Sequence, residues 1–412
     1  MFVLPFLPGG CFGTQQRTVT PPARDATAAL QAALDRGGRI FLPRLPDGKC
    51  YRTRGLWVSR SGTELTSNGA CLEAIRPGPV RLQSPDGDPI TSSAVLFISR
   101  AAGGLRPLLV KISDLRIVVP RQSASYGVAV FGDFVTLRNV DVEGAPIDAL
   151  VVGGRGTPPV LNLTVDRCGF IAARRNVISI VSAIGMKVTS SLLSGASDDY
   201  RAPGADSVTG NPSAGIDIEP DDPDDPIINL EIRGNTIEQN AGPGILLALS
   251  TADGLPHRAT GIAILKNRIL GNDRATTPPL KGGISFQGGQ ADGKGVVSVV
   301  DNVITGNGGA GLQGHPTEGT IMRVLASGND LRGNRGGKTS FVRIGGGSHL
   351  ASAQLSTRAP HRSSMRRVFQ TITETAQVTT KSPTTKYPIV PKSRLSSQAQ
   401  KPSFSESLLD ST

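Results

Sequence analysis

The sequence predicts an all-β chain wound as a right-handed parallel β-helix solenoid, with a short capping helix before it and a disordered tail after it. Three observations carry that prediction. The phrase Asn-x-(Ile/Leu)-x-x-Asn recurs four times, as NTIEQN from Asn235, NRILGN from Asn267, NVITGN from Asn302 and NDLRGN from Asn329. A fixed inner phrase with elastic gaps is the signature of stacked coils whose core is constant and whose loops vary. The apolar residue of that phrase extends backwards without the asparagines, through Ile117, Val142, Phe170 and Leu193 to Ile237, Ile269, Ile304 and Leu331. Finally, apolar and polar residues alternate with period two inside a coil, as in Gly215-Ile-Asp-Ile-Glu219, which puts the isoleucines on one face and the acids on the other. Leucine-rich repeats are the nearest competitor, but their leucine spacing and helical segment are missing. Asparagines stacked at a corner hydrogen-bond along the column and satisfy backbone groups that a bend exposes.

Ahead of the coils, Asp25-Ala-Thr-Ala-Ala-Leu-Gln-Ala-Ala-Leu-Asp-Arg-Gly-Gly38 predicts one helix. Asp25 suits its N-cap, Leu30 and Leu34 share a face, and Gly37 suits its stop. A strand follows at Arg39-Ile-Phe-Leu-Pro43, then strand segments at Tyr51–Val58 and Thr63–Leu65. A first coil without a cap would expose an open core and an unpaired edge. The helix, the Ile40-Phe-Leu-Pro43 strand and the Lys49-Cys-Tyr51 that follows resemble the N-terminal cap of the pectate-lyase-like superfamily, over roughly residues 25–345. That resemblance implies the β-helix fold and an active site on one parallel sheet. It leaves the chemistry open, because the superfamily holds lyases, hydrolases, epimerases and phage tailspikes. The divisions expected are a leader or disordered N-terminus over 1–24, cap and first coils over 25–100, β-helix over 101–347 and a tail over 348–412.

Composition agrees. Fifty glycines and few aromatics among 412 residues suit tight corners around a thin aliphatic core, and no apolar stretch reaches the ~20 residues of a membrane span. The opening residues are apolar without a basic start, so a secretory leader would be incomplete, and Cys11 lacks a small-residue lipobox before it. A secreted or cell-surface location is nevertheless expected, with Cys50 and Cys71 flanking one strand pair and open to disulfide formation or to burial as free thiols. Cys168 takes the inward corner position that holds Asn in later coils. The net charge of +11 is uneven, with nine Lys/Arg against three Asp/Glu in residues 351–412. That Ser/Thr-rich tail carries no repeat and reads as disordered. It could touch nucleic acid, although a solvated tail is the commoner role, and no specific nucleic-acid motif is present.

The chemistry is expected on one stacked strand: Val177-Ile-Ser-Ile180, Gly215-Ile-Asp-Ile218, Gly244-Ile-Leu-Leu247, Gly283-Ile-Ser-Phe286 and Gly311-Leu-Gln313. Long excursions flank it, at Ser197–Ser213, Asp221–Pro226, Ser250–Thr260, Asp273–Lys281 and Gly288–Lys294, and two walls of loops make a groove for an extended chain. Asp217 and Glu219 point outward from one strand, their Cα atoms about 6.5–7 Å apart. Such a pair suits the acid and base of glycoside hydrolysis with inversion. Asp221, Asp222, Asp224 and Asp225 follow on a Pro-bounded loop and could bind Ca²⁺ with the pair, or simply make solvated Asp-Pro turns. Arg174 and Arg175, one coil earlier, could hold a uronate carboxylate or neutralise the acids. Asp198, Asp199 and Tyr200 open the longest excursion and are candidate substrate contacts. His315 shares the Glu219 column three coils on, too far for cooperation.

The alternatives stay open here. The first is cleavage of a glycosidic bond in a polysaccharide, neutral or acidic; the second is a non-catalytic carbohydrate-binding or structural helix of tailspike or adhesin type; the third is a Ca²⁺-dependent lyase. Motifs of polygalacturonases are present only as fragments, at Asp198-Asp199 and Gly314-His315, and Pro223-Asp-Asp-Pro226 lacks the His of the epimerase motif. No cofactor other than Ca²⁺ is implied. A polysaccharide is the expected partner, with the chain a monomer or a homotrimer.

Overall fold

Each coil folds because a few residues alternate inward and outward and then meet a residue able to bend. The computed structural model describes residues 16–75, 80–83, 89–92, 94–99, 108–120, 126–154, 157–199, 212–249, 259–275, 281–288, 296–315 and 323–341. The expectations for residues 1–15, for Tyr200 and for the tail from residue 348 fall outside them. The chain is a right-handed parallel β-helix. Its strands form a 17-stranded sheet that turns two faces, a 10-stranded sheet on the third face and a minor 4-stranded sheet, while one antiparallel pair, Val80–Gln83 with Pro89–Ser92, stands apart.

The register read from the sequence is the register of the fold. Val142 pairs with Ile117 and Phe170, Leu193 with Phe170 and Ile237, and Ile269 with Ile237 and Ile304. All these side chains are buried, in one continuous core that runs the length of the molecule. Both asparagines of the repeated phrase, not only the first, form ladders. Asn235, Asn267, Asn302 and Asn329 make one column, and Asn240, Asn272, Asn307 and Asn334 make a second. From the second asparagine of each column onward, the side-chain oxygen accepts both the backbone N–H and the amide of the asparagine before it, while Asn235 and Asn240 accept the Ser191 and Ala196 N–H groups. In Asn267 the amide nitrogen donates to the Ile232 carbonyl at 2.9 Å and to Asn302 Oδ1 at 3.0 Å. The residue immediately before each ladder position has left-handed backbone, as at Lys266 (φ 54°), Asp301 (φ 55°) and Gln239 (φ 58°). Glycine takes that place at Gly271 and Gly306, where it carries no Cβ penalty.

Earlier coils fill the first column with smaller groups. Cys168 N–H donates to Ser191 Oγ, and Ser191 N–H donates to Asn235 Oδ1. The Cys168 thiol is buried and pushed up to about 12 by that burial, which makes it inert packing, as its corner position suggested.

The helix spans Thr27–Arg36 and lays Leu30, Ala33 and Leu34 over the open end of the core. Its start differs from the expectation. Ala26 is the N-cap residue, and Asp25 instead accepts the Thr27 N–H from two residues before it. The stop is as expected, Gly37 bending with φ 67° and donating to the Leu34 carbonyl. The cap also begins earlier than residue 25, because Arg17–Thr18 pairs in parallel with Ile40 and Phe41. Cys50 and Cys71 are joined, 21 residues apart, and tie the Tyr51–Thr53 strand to its neighbour Glu64–Ala74. Reducing this bond should lower unfolding free energy by about 3 kcal/mol if loop entropy dominates. Denaturant titration with and without reductant, with Cys168 replaced by Ala in both samples, checks that; equal midpoints would mean the cap holds without the bond.

Candidate functional site

The 10-stranded sheet carries its polar groups on the side away from the core. Pairing places Val151, Ser179, Asp217, Leu246, Ser285 and Gln313 in one outward column. Further back the column is aromatic: Trp57 pairs with Phe97, whose ring stacks on Phe131 at 5.4 Å between centroids. The five strands expected to stack do so in the expected order, and His315 pairs with Gln287 at the far end.

Asp217 faces outward from the Ile216–Ile218 strand, yet it is buried, with only 2% of its surface exposed. Facing outward, as expected of both acids, does not mean exposure here, and of the two only Glu219 is exposed. Asn176 Nδ2 donates to Asp217 Oδ2 at 2.8 Å and to Ser179 Oγ at 3.1 Å. Asp217 Oδ1 receives no N–H or O–H donor, and the Glu219 carboxyl lies in hydrogen-bonding reach of Asp217. Burial first, then the Glu219 charge, raise Asp217 well above the usual carboxylate range, with Arg175 opposing them. The neighbouring Glu219 carboxyl thus adds to the burial that favours the protonated form of Asp217. Their contact is closer than the spacing that leaves room for a water in an inverting enzyme, so the side-by-side separation expected from the Cα atoms does not describe the carboxyl groups.

Three residues that the sequence reading passed over build the floor. Asp148 is fully buried and takes a two-pronged ion pair from Arg175, Nε to Oδ1 at 2.9 Å and Nη2 to Oδ2 at 2.5 Å. Its Oδ1 also accepts the Asn176 N–H at 3.0 Å, and Asn176 Oδ1 accepts the Ala214 N–H at 2.9 Å. Asp148 and Asn176 thus repeat, at the corner before this sheet, the linkage of the asparagine ladders. Ser179 is the third, directly beside Asp217 on the paired strand. Stacking Leu150, Ile178 and Ile216 and reading two residues back gives Asp148, Asn176 and Ala214, which is the signal that would have found the first two. Burial opposes the charge of Arg175, but Asp148 overrides it and holds the guanidinium well above its ordinary range.

The remaining candidates divide. Arg174 pairs with Asp199 at 3.3 Å and donates to its backbone carbonyl at 2.5 Å, so it braces the start of the excursion. Asp198 lies beside that pair, half-buried. Of the loop acids, Asp225 is buried and closes a turn, its Oδ2 accepting the Asp222 N–H at 3.0 Å while its own N–H donates to the Asp222 carbonyl. Burial pushes Asp225 up to about 6. Among the described residues no three His, Cys, Asp or Glu side chains converge to hold a metal ion.

A folded carboxyl raised above its unfolded value keeps a proton that the unfolded chain has lost, so its contribution to stability falls as pH rises through that window. For Asp225 the window runs from 3.8 to about 6. The melting-temperature difference between Asp225→Asn and the parent should therefore grow in favour of the variant across that interval. A difference independent of pH would mean that the carboxyl titrates normally.

No family model matches the chain, and neither does any curated protein. Solved structures share the coil architecture at low identity. The Azotobacter vinelandii mannuronan C-5 epimerase AlgE4 A-module is 16% identical, with a TM-score of 0.40 over 85% of this chain and 97% of that one. A mutant tailspike protein of Escherichia coli bacteriophage HK620, in complex with a pentasaccharide, is 18% identical, with a TM-score of 0.46 over 76% of this chain and 54% of that one. PfbA, a surface adhesin of Streptococcus pneumoniae, is 11% identical, with a TM-score of 0.43 over 79% and 93%. The chain thus spans about half the length of the tailspike it matches. Among the described residues no helix is long and apolar enough to cross a membrane.

Proposed function

We propose that the protein hydrolyses a glycosidic bond in a polysaccharide laid along the 10-stranded sheet, with Asp217 as general acid and Glu219 as general base. The observation that carries this reading is a buried carboxyl with one oxygen unpartnered beside an exposed carboxyl on the outward face. A carboxyl whose proton is held more tightly than usual can donate it to a leaving oxygen, and a second carboxyl group can take a proton from water. Glu219, exposed on a flexible side chain, swings away from Asp217 to admit the glycosidic oxygen and the water, which opens the pair toward the spacing inversion needs. Asn176 aims the acid, while Asp148 and Arg175 fix Asn176 and the charge beneath it. In balance, Asp217 gives its proton to the departing oxygen, water supplies hydroxyl to the anomeric carbon, and Glu219 accepts the remaining proton.

Elimination is the weaker chemistry here, because it needs a cation to neutralise a uronate and both neighbouring arginines are already paired. A non-catalytic glycan-binding helix is the second reading, favoured by the burial of Asp217 and Ser179, which also suits a structural role. The disulfide fits an extracellular or surface setting. Incubation with mixed polysaccharides in heavy-oxygen water, followed by mass spectrometry, separates the three. Hydrolysis puts heavy oxygen on one new end, elimination gives an unsaturated end, and unchanged chains with retained binding leave the protein a binding module.

A further inference from the structure

We infer that the glycan taken by this groove carries no carboxylates. The inference rests on the cleavage reading above and narrows its substrate. A uronate chain would need a free cation beside the acids, and among the described residues the two arginines of the preceding coil are committed elsewhere. Arg175 spends its planar fork on Asp148 in two parallel bonds, a geometry that leaves little for a second carboxylate. Arg174 is tied to Asp199 through a side-chain oxygen and a backbone carbonyl.

What faces the groove instead is negative. The segment from Asp217 to Pro226 holds no Lys or Arg, Glu219, Asp221 and Asp224 are exposed along it, and Asp222 is half-buried. A carboxylate brought within about 7 Å of an ionised one loses roughly fiftyfold in affinity at the effective dielectric of a protein surface, before salt screening. Binding beside Glu219 would also drive Asp217 further toward its protonated form, so an anionic ligand gains nothing from the buried acid. An uncharged sugar meets the opposite balance. Its hydroxyls donate to the exposed Glu219 carboxyl oxygens, and Asp217 Oδ1, buried and without an N–H or O–H donor, is left to offer the proton of the acid to a sugar oxygen. The aromatic column at Trp57 and Phe131, on the same outward face and both half-buried, offers apolar edges to the C–H faces of neutral sugars.

The test uses the full-length protein and three sets of soluble polymer: neutral glycans, polyuronates, and the same polyuronates after chemical reduction of their carboxyls. Product release is followed by reducing-end assay at low and at moderate salt. The inference expects products from neutral or carboxyl-reduced polymers, at least tenfold less from the uronates, and a gap that narrows as salt screens the acids. Asp224→Asn, exposed on the loop and outside the Asp217–Glu219 pair, should narrow the gap several-fold without changing the rate on the preferred polymer. Faster release from an unreduced polyuronate than from its reduced form would overturn the inference and leave the cleavage reading standing. Release from none of the three sets would overturn both.

Discussion

Asp217→Asn is expected to abolish turnover and, at the same time, to make the protein more stable at neutral pH. The amide reproduces the protonated carboxyl: its oxygen still accepts from Asn176, and its NH₂ donates toward Glu219. It cannot give up a proton to a leaving group, and losing a general acid costs about a hundred- to ten-thousand-fold in rate. The stability gain follows from the raised pKa. Above pH 4 the unfolded chain has an ionised Asp217, whereas the folded chain must keep it protonated or bury a charge. Stability of the parent therefore falls as pH rises from the unfolded value of 3.8 toward the raised folded one. The variant lacks that slope. Thermal unfolding should show a higher midpoint for Asp217→Asn at pH 7 and nearly equal midpoints near pH 4. Glu219→Gln should lose turnover as well, but its exposed side chain gives no comparable gain. If Asp217→Asn unfolds earlier than the parent at pH 7, the carboxyl is ionised and structural, and the acid role is lost.

The second large effect belongs to the corners. Asn267→Leu should destabilise the chain by about 3–5 kcal/mol, since each buried polar group stripped of its partner costs about 1–3 kcal/mol. The change orphans the Asn235 backbone N–H, takes one of two acceptors from the Asn235 amide, which keeps the Val188 carbonyl, and removes the amide donor to the Ile232 carbonyl. Asn302 Oδ1 loses one of its two donors, keeping the Asn267 backbone N–H. Urea titration measures this directly. A loss of a few tenths would show that water or repacking satisfies the column. Asn329 stands at the end of the ladder and half-exposed, so Asn329→Leu should cost less, and that contrast tests the ladder rather than the substitution.

The fold was legible because its signals are local and repeated. An asparagine at a fixed offset from an apolar residue specifies bend, column and core together, and Ile237, Ile269 and Ile304 stack as their spacing implied. The stacked strand of the site was legible for the same reason. The second ladder was present in the repeated phrase itself, at Asn240, Asn272, Asn307 and Asn334, but one column sufficed to explain the phrase. The electrostatics were not legible. Alternation says which face a side chain takes, not whether that face is covered, so Asp217 looked as exposed as Glu219. Likewise Arg175 looked free because its partner Asp148 lies 27 residues away, at a corner with no asparagine to mark it. The helix start was misplaced by one residue because Asp25 does serve the first turn, through Thr27, without standing at the cap.

The paired ladders also set the grain in which this chain can lengthen or shorten. The first-column asparagines recur after 32, 35 and 27 residues, yet each interval closes on the same two amide joints. The unit that can be gained or lost is therefore one whole circuit, whatever its loops contain. Excising residues 267–301 would set Asn302 on Asn235 and Asn307 on Asn240, shortening the rod by a single layer of about 4.8 Å. The acids at 217 and 219 lie upstream of that cut. Groove length and the chemistry of the carboxyl pair can thus change independently, by recombination at the corners.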